Sequence, residues 1–352
     1  MTNGAKKSRK FAEKRNRMKI AAYMAALMLL AASCSGGIEY RKAEGAAWGT
    51  FYHIVYRADR DLSDSVTAVM RRVELSLSMF DAQSTVSRLN RGETDRVDSM
   101  FIEVYSAAVD VNRISGGAFD PTVAPLVNLW GFGTRGDSVP VPSDAEIADS
   151  LNVVGIGRSK LCGDILLRVP GMKFDFSAIA KGYGVDCVAA MLRRNGCGDY
   201  MVEIGGEVSV AGQNPRGEAW RIAVETPSED DNDALTTIRL EDCAVATSGN
   251  YRNYRQTSGG RVWHTISPLT GHPAPSHIAS ATVQAPSCML ADALATACMV
   301  LAPDSALALA DSVPGVKITL VLPDGAGWKT LCAGPAKARK KESAASRQPH
   351  IF

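Results

Sequence analysis

Segments of two-residue and of 3.6-residue hydrophobic period follow one another in this chain without the regular strand–helix alternation that a doubly wound parallel sheet requires. Trp48–Tyr56 alternates aromatic and β-branched residues and reads as a strand, whereas Leu62–Met79 lines up Val66, Val69, Met70, Val73 and Leu77 on one helical face. Further helices are predicted over Phe101–Ser115, ended by Gly116-Gly117, and over Asp144–Asn152 behind a Ser143 cap. Ser177–Asn195, Met289–Leu301 and Asp304–Ser312 complete the helical set. Strands are predicted at Tyr200–Ile204, Arg221–Glu225, Thr237–Leu240, Cys243–Thr247, Ala279–Gln284 and Lys317–Leu322. Leu166–Val169 and Lys173–Phe176 read as a hairpin leading into the Ser177 helix. The fold class is therefore α+β. No linker divides the roughly 290 residues of the body, which is large for one core, and two interleaved lobes with a cleft between them satisfy that constraint.

The ends differ from the body. Of the formal net charge of +2, residues 1–19 contribute +7 and the stretch from Lys337 to Arg347 a further +4, leaving about −9 for the rest. A body of that sign is not a nucleic-acid binder, which wants a basic face on its folded part. The basic start runs into the apolar Ile20–Ala32, then Ser33-Cys34. These are the parts of an export signal, too short to span a bilayer comfortably. A cysteine after Ala-Ala-Ser is the residue a lipoprotein signal acylates, the other reading being a signal anchor with an incidental cysteine. The expected organisation is a lipoprotein-type signal over residues 1–33, a lipid on Cys34, a tether over 34–46, the folded body over 47–334, and a basic, disordered tail over 335–352. The expected location is the periplasmic side of the cell membrane. The other seven cysteines form no CxxC pairs, and neither a disulfide framework nor a zinc site is expected.

Four clusters carry candidate chemistry. Gly116-Gly117-Ala118-Phe119-Asp120-Pro121 and the residues to Gly133 force an irregular backbone path, which is either a loop with Asp120 capping a turn or a wall for a flat ligand. The GxGxxG match at Gly131–Gly136 follows no clear strand and reads as loop. In Asp175-Phe176-Ser177-Ala178-Ile179-Ala180-Lys181, either Asp175 or Ser177 caps a helix whose start would suit an anion, with Lys181 one turn in. Thr247-Ser248-Gly249-Asn250-Tyr251 precedes His264-Thr265-Ile266, where His264 is either a base for a hydroxyl nucleophile or a hydrogen-bonded turn histidine. Asp292 and Thr296 share one face of an apolar helix. They either offer two oxygens to a hard cation such as magnesium, or Asp292 is a helix-start cap.

Together, in this order, the four clusters resemble the ApbE family, the FAD:protein FMN transferases. The likeness spans Trp48 to Leu301 and begins at Trp48-Gly49-Thr50, where the family has Met-Gly-Thr. The resemblance implies an ApbE-like, T-fold-like arrangement of mixed helices and mostly antiparallel sheets. It implies FAD contacts from Trp48, Phe80, Ala118, Phe119, Asp120, Asp175, Lys181, and His264 or Ile266. It also implies Mg2+ held by the backbone oxygen of Ala178, Asp292 and Thr296, with His264 and Asp292 catalytic. Some members carry a second acid where Ala295 stands, which leaves an expected thinner cation site here. The implied activity is magnesium-dependent transfer of FMN from FAD to a threonine or serine of an acceptor flavoprotein, with release of AMP. The implied acceptors are flavin-carrying subunits of membrane redox complexes, such as sodium-pumping quinone reductase or Rnf-type systems. A magnesium-dependent FAD pyrophosphatase and a non-catalytic FAD-binding lipoprotein are the alternatives.

Overall fold

The computed structural model describes residues 37–133, 140–225, 234–250, 254–257, 260–275, 277–325 and 327–334. The expected signal, Cys34, the basic tail and the second half of the GxGxxG match lie outside these residues.

The chain opens on a long hairpin, β1 (Glu39–Ala47) against β2 (Thr50–Ala58), in register from Glu39↔Ala58 to Ala47↔Thr50. Its two-residue turn places Trp48 at φ 54° and Gly49 at φ 75°, the left-handed pair that a tight hairpin needs. Residues from Glu39 onward therefore belong to the sheet, not to the tether expected over 34–46. The tether reading rested on small, polar composition, but strand pairing supplies what the side chains lack. Trp48 and Gly49 likewise form the turn instead of starting the strand.

Helices α1 (Ser63–Leu77), α2 (Thr85–Asn90) and α3 (Ser99–Ile114) follow, and Asp98 caps α3 by accepting from the Phe101 N–H. Next come α4 (Ala124–Leu129) and α5 (Asp144–Leu151). The latter is closed by a reciprocal Ser143–Glu146 capping box, so the predicted Ser143 cap is present. The predicted Leu166–Phe176 hairpin is displaced. The pair is β3 (Ser159–Cys162) with β4 (Ile165–Arg168), and Lys173 makes only an isolated bridge to Val123. Phe174 and Phe176 are both buried, packed edge-on against Phe101, so their alternation with Lys173 and Asp175 reflects entry into the core and not strand pairing.

Helix α6 (Ala180–Arg194) is followed by β5 (Tyr200–Ile204), β6 (Glu207–Ala211), β7 (Trp220–Glu225), β8 (Ala234–Leu240), β9 (Ala244–Gly249), β10 (Tyr254–Thr257), β11 (Gly260–Trp263) and β12 (Ser280–Ala285). The chain ends in α7 (Cys288–Val300), α8 (Pro303–Ser312), β13 (Lys317–Asp324) and β14 (Gly327–Ala333). Eight strands form one antiparallel sheet in the order β1-β2-β5-β6-β9-β12-β13-β14. The α+β expectation holds: mixed helices lie on a mostly antiparallel sheet.

Helices α1, α6 and α7 pack on one sheet face over two apolar cores, one under α1 and α6, the other under α7, α3 and the Phe101–Phe174–Phe176 ring cluster. The β7–β8 ribbon covers part of the sheet through Trp220 and Leu240 against Val208, Val210 and Val245. A satellite cluster of Leu126, Trp130, Ile147, Val154 and Ile266 ties α4 and α5 to the segment after β11. The cleft lies between this satellite and the helix-covered sheet.

Candidate functional site

Two glycine turns bring the sheet to the cleft. Gly205 (φ 63°) and Gly206 (φ 97°) join β5 to β6, and a Cβ on Gly205 would stand 2.8 Å from the Thr50 methyl. Only glycine fits there, so the β5–β6 turn sits against the β1–β2 turn, and the Gly205 N–H donates to the Phe51 carbonyl at 3.0 Å. Glu207, the first residue of β6, emerges beside them.

Helices α6 and α7 cross at unusually close range. A Cβ on Gly182 would lie 2.3 Å from the Cys288 carbonyl oxygen. The two helices cap each other. The Asp186 carboxylate on α6 accepts from the Cys288 and Met289 N–H groups, both at 2.9 Å, at the start of α7. The Asp292 carboxylate on α7 accepts from Gly182 N–H at 3.0 Å, near the start of α6. Asp292 is thus a cap, but of the neighbouring helix. The predicted caps of α6 are not used: its first turn follows Ile179, and Asp175 instead accepts from the Ser177 N–H at 2.8 Å. The helix start is also less open to an anion than its sequence suggests, because the Ala180 N–H is spent on the Phe176 carbonyl and that of Gly182 on Asp292.

The cleft has a volume of about 910 Å3 and is lined by Trp48, Phe80, Ala118, Phe119, Asp120, Asp175, Ala178, Lys181, His264, Ile266, Asp292 and Thr296. Every candidate named from the sequence, apart from Cys34, therefore meets at one place. Phe80 overhangs it with 72% of its surface exposed. Its loop is held by Ser78, whose hydroxyl accepts from the Phe80 and Asp81 N–H groups, and by an Arg71–Asp81 ion pair at 2.8 Å. The Trp48 indole seats over Gly184, where a Cβ would meet it at 2.2 Å. His264 presents its ring edge-on to Phe132, centroids 6.4 Å apart.

Asp120 fulfils the structural reading of its cluster. Its carboxylate accepts from the Thr122 N–H (2.8 Å) and hydroxyl (2.6 Å), the Ile156 N–H (2.8 Å) and the Asn112 amide (3.1 Å). Burial pushes its pKa up against these donors. Its part in the cleft is to fix the wall that carries Ala118 and Phe119. Burial likewise raises Asp175.

The charged floor is Lys181, Glu207 and Asp292. Lys181 Nζ bonds Glu207 Oε1, and both residues line the cleft with Asp292. Burial would pull Lys181 down, but the Asp292 and Glu207 charges outweigh it and hold the ammonium above its ordinary value. Burial and the Asp292 charge push the Glu207 carboxyl up, against the pull of Lys181. Asp292 is raised as well, by burial first. Glu207 escaped the sequence reading. Its signal is an acid opening the apolar strand Glu-Val-Ser-Val-Ala directly after two glycines.

Among the described residues no three His, Cys, Asp or Glu side chains gather around a common point. A cation here would be held by few protein groups. Two buried carboxylates facing one ammonium, with the Thr296 hydroxyl and the Ala178 segment beside them, form a hard, oxygen-rich, anionic set that suits magnesium and leaves positions for phosphate oxygens. Ala295 is not part of this set. It is fully buried in the main apolar core and does not line the cleft.

Residues 48–320 match the model of the ApbE family. A FAD:protein FMN transferase of Vibrio cholerae is 37% identical over 322 residues, covering 89% of this chain and 96% of that protein. One from Haemophilus influenzae is 35% identical, covering 81% and 88% respectively. Among solved structures, the flavin transferase ApbE from Vibrio cholerae superimposes with a TM-score of 0.77 at 36% identity, covering 84% of this chain and 98% of that one. The apo form of the Pseudomonas stutzeri flavinyl transferase ApbE gives 0.76 at 35%, covering 84% and 95%.

Proposed function

The chain belongs to the ApbE family, and we infer from this that it is a FAD:protein FMN transferase. The observation that carries the reading to the residues is the convergence of five sequence-distant segments, around Trp48, Phe80, Asp120, Lys181 and Asp292, on one cleft large enough for a dinucleotide. Phe80, Phe119 and the Trp48 indole offer apolar surface to a flat ring system, and the same cleft carries the polar floor at Lys181.

Phosphoryl transfer asks a protein chiefly for positioning and charge stabilisation. Lys181, held protonated by its acidic neighbours, supplies a fixed positive charge on the floor. The acceptor's threonine or serine oxygen attacks the FMN phosphorus, forming the phosphoester bond. The bond from that phosphorus to the AMP phosphate oxygen breaks, and AMP leaves with the electron pair. His264, which lines the same cleft, takes the hydroxyl proton. Magnesium held by the Ala178 carbonyl, Asp292 and Thr296 would supply positive charge against the diphosphate oxygens. Thr296 is steered by the Ser248 hydroxyl, 3.3 Å away, and Asp292 by the Gly182 N–H.

The acceptors on this reading are flavin-carrying subunits of membrane redox complexes. A lipid on Cys34 would hold the enzyme at the same membrane, on its periplasmic face. Because β1 begins at Glu39, only Ser35–Ile38 would separate lipid from sheet, a reach of roughly 14 Å. Incubation with FAD, magnesium and a candidate acceptor tests the activity. Flavin fluorescence on the denatured acceptor band is the expected result. Free AMP without labelling would replace the reading with hydrolysis, and neither product would replace it with storage.

A further inference from the structure

The proposed mechanism leaves one buried ionisable group partly unused. Glu207 is 3% exposed and lines the cleft, yet only its Oε1 has a partner, Lys181; Oε2 is buried with no hydrogen bond. A carboxylate oxygen stripped of water and left bare costs free energy unless something that enters the cleft satisfies it. Charge decides what that is. The Asp292 charge acts on Glu207 across the floor, and among the described residues Lys181 is the cation set against both. A diphosphate carries a negative charge on each phosphorus, so its arrival leaves the floor further from neutrality. A neutral donor from the ligand would satisfy the oxygen but leave that charge. A divalent cation does both.

From this geometry we propose that Glu207 is the second carboxylate of the cation site: its free Oε2 takes the metal, directly or through one metal-bound water, while Lys181 on Oε1 fixes its orientation. Asp292 and Glu207 approach from α7 and β6, two elements whose positions are set independently by the α6–α7 crossing and the Gly205-Gly206 turn. This rests on the transferase reading only for the identity of the diphosphate.

The test is metal binding, independent of turnover. Manganese(II), as a spectroscopic stand-in for magnesium, is titrated into the protein with saturating FAD and no acceptor, and free ion is counted by electron paramagnetic resonance. Glu207→Gln should weaken manganese binding by about 10- to 100-fold, while FAD binding measured in EDTA holds or tightens. Manganese affinity within twofold of the parent overturns the proposal. A fall in FAD affinity in EDTA alongside it would assign Oε2 to a ligand hydroxyl instead. Should the variant not fold, infrared difference spectra of the parent with and without magnesium decide the matter. Carboxylate stretches from two side chains support the proposal, and a single one overturns it. A protein that binds manganese through Glu207 but labels no acceptor would sink the transferase reading and leave this one standing.

Discussion

Placing a single methyl group on Gly182 puts the whole site geometry at risk. In Gly182→Ala the new Cβ would stand 2.3 Å from the Cys288 carbonyl oxygen, 2.6 Å from its carbon and 2.8 Å from Asp292 Cβ. The first two are backbone atoms at the start of α7 and cannot swing aside, so α6 and α7 must part. Overpacking of this kind costs about 1–3 kcal/mol. Parting also stretches the Gly182 N–H to Asp292 bond, and losing a buried hydrogen bond to a charged group costs about 1.5–3 kcal/mol. Alanine returns about 1 kcal/mol of helix propensity. The net expectation is a loss of about 2–5 kcal/mol in urea unfolding followed by circular dichroism, with a fall in magnesium-dependent FMN transfer because Asp292 loses its orienting donor. A variant within 0.5 kcal/mol of the parent and equally active would refute both the close crossing and the role given to Asp292.

Asp292→Ala should abolish magnesium-dependent transfer, measured by in-gel flavin fluorescence; unchanged activity removes Asp292 from the metal site. Phe80→Ala, at a largely exposed side chain, should leave unfolding within about 0.5 kcal/mol but raise the FAD KM severalfold; an unaltered KM would dismiss Phe80 as a flavin contact. Ala295→Asp should cost several kcal/mol by burying an unpaired carboxylate in the core, with no gain in magnesium affinity by calorimetry; tighter binding would mean that this position faces the cleft. Burial pushes Asp186 up to about 6, against its two backbone donors. Its folded form therefore holds a proton that the unfolded chain releases near pH 4. The resulting stability, at most about 3 kcal/mol, is present below pH 4 and lost as pH rises through 6. Asp186→Asn should flatten the urea-measured stability between pH 4 and 6, and a slope equal to the parent's would refute this.

Much of the molecule's local structure was legible. Ser143 with Glu146 three residues on, the apolar stripe of Ser63–Leu77, and the Gly116-Gly117 pair each carry their conformation within a few residues, because caps, periodicity and left-handed helix ends are short-range effects. The four clusters were legible too, as polar residues set in apolar or glycine-rich surroundings. The errors came where composition was used in place of pairing. Glu39–Ala47 is polar and small yet forms a strand, since the long β2 offers it a ladder. Lys173–Phe176 alternates charged and apolar residues as a strand does, yet its one ladder contact is a single bridge, since its phenylalanines serve the core.

The sequence by itself determined that Lys181 and Asp292 carry charge into apolar elements, where neither has an easy home in a core; Glu207 joined them only in the fold. Which of them meet was settled only by the tertiary structure. Helix α7 is apolar nearly all round, so its periodicity cannot say that Asp292 and Thr296 turn to the cleft while Ala295 turns to the core. That orientation comes from the Gly182 crossing and the mutual capping by Asp186 and Asp292. These contacts join residues more than a hundred positions apart, beyond the reach of any local pattern.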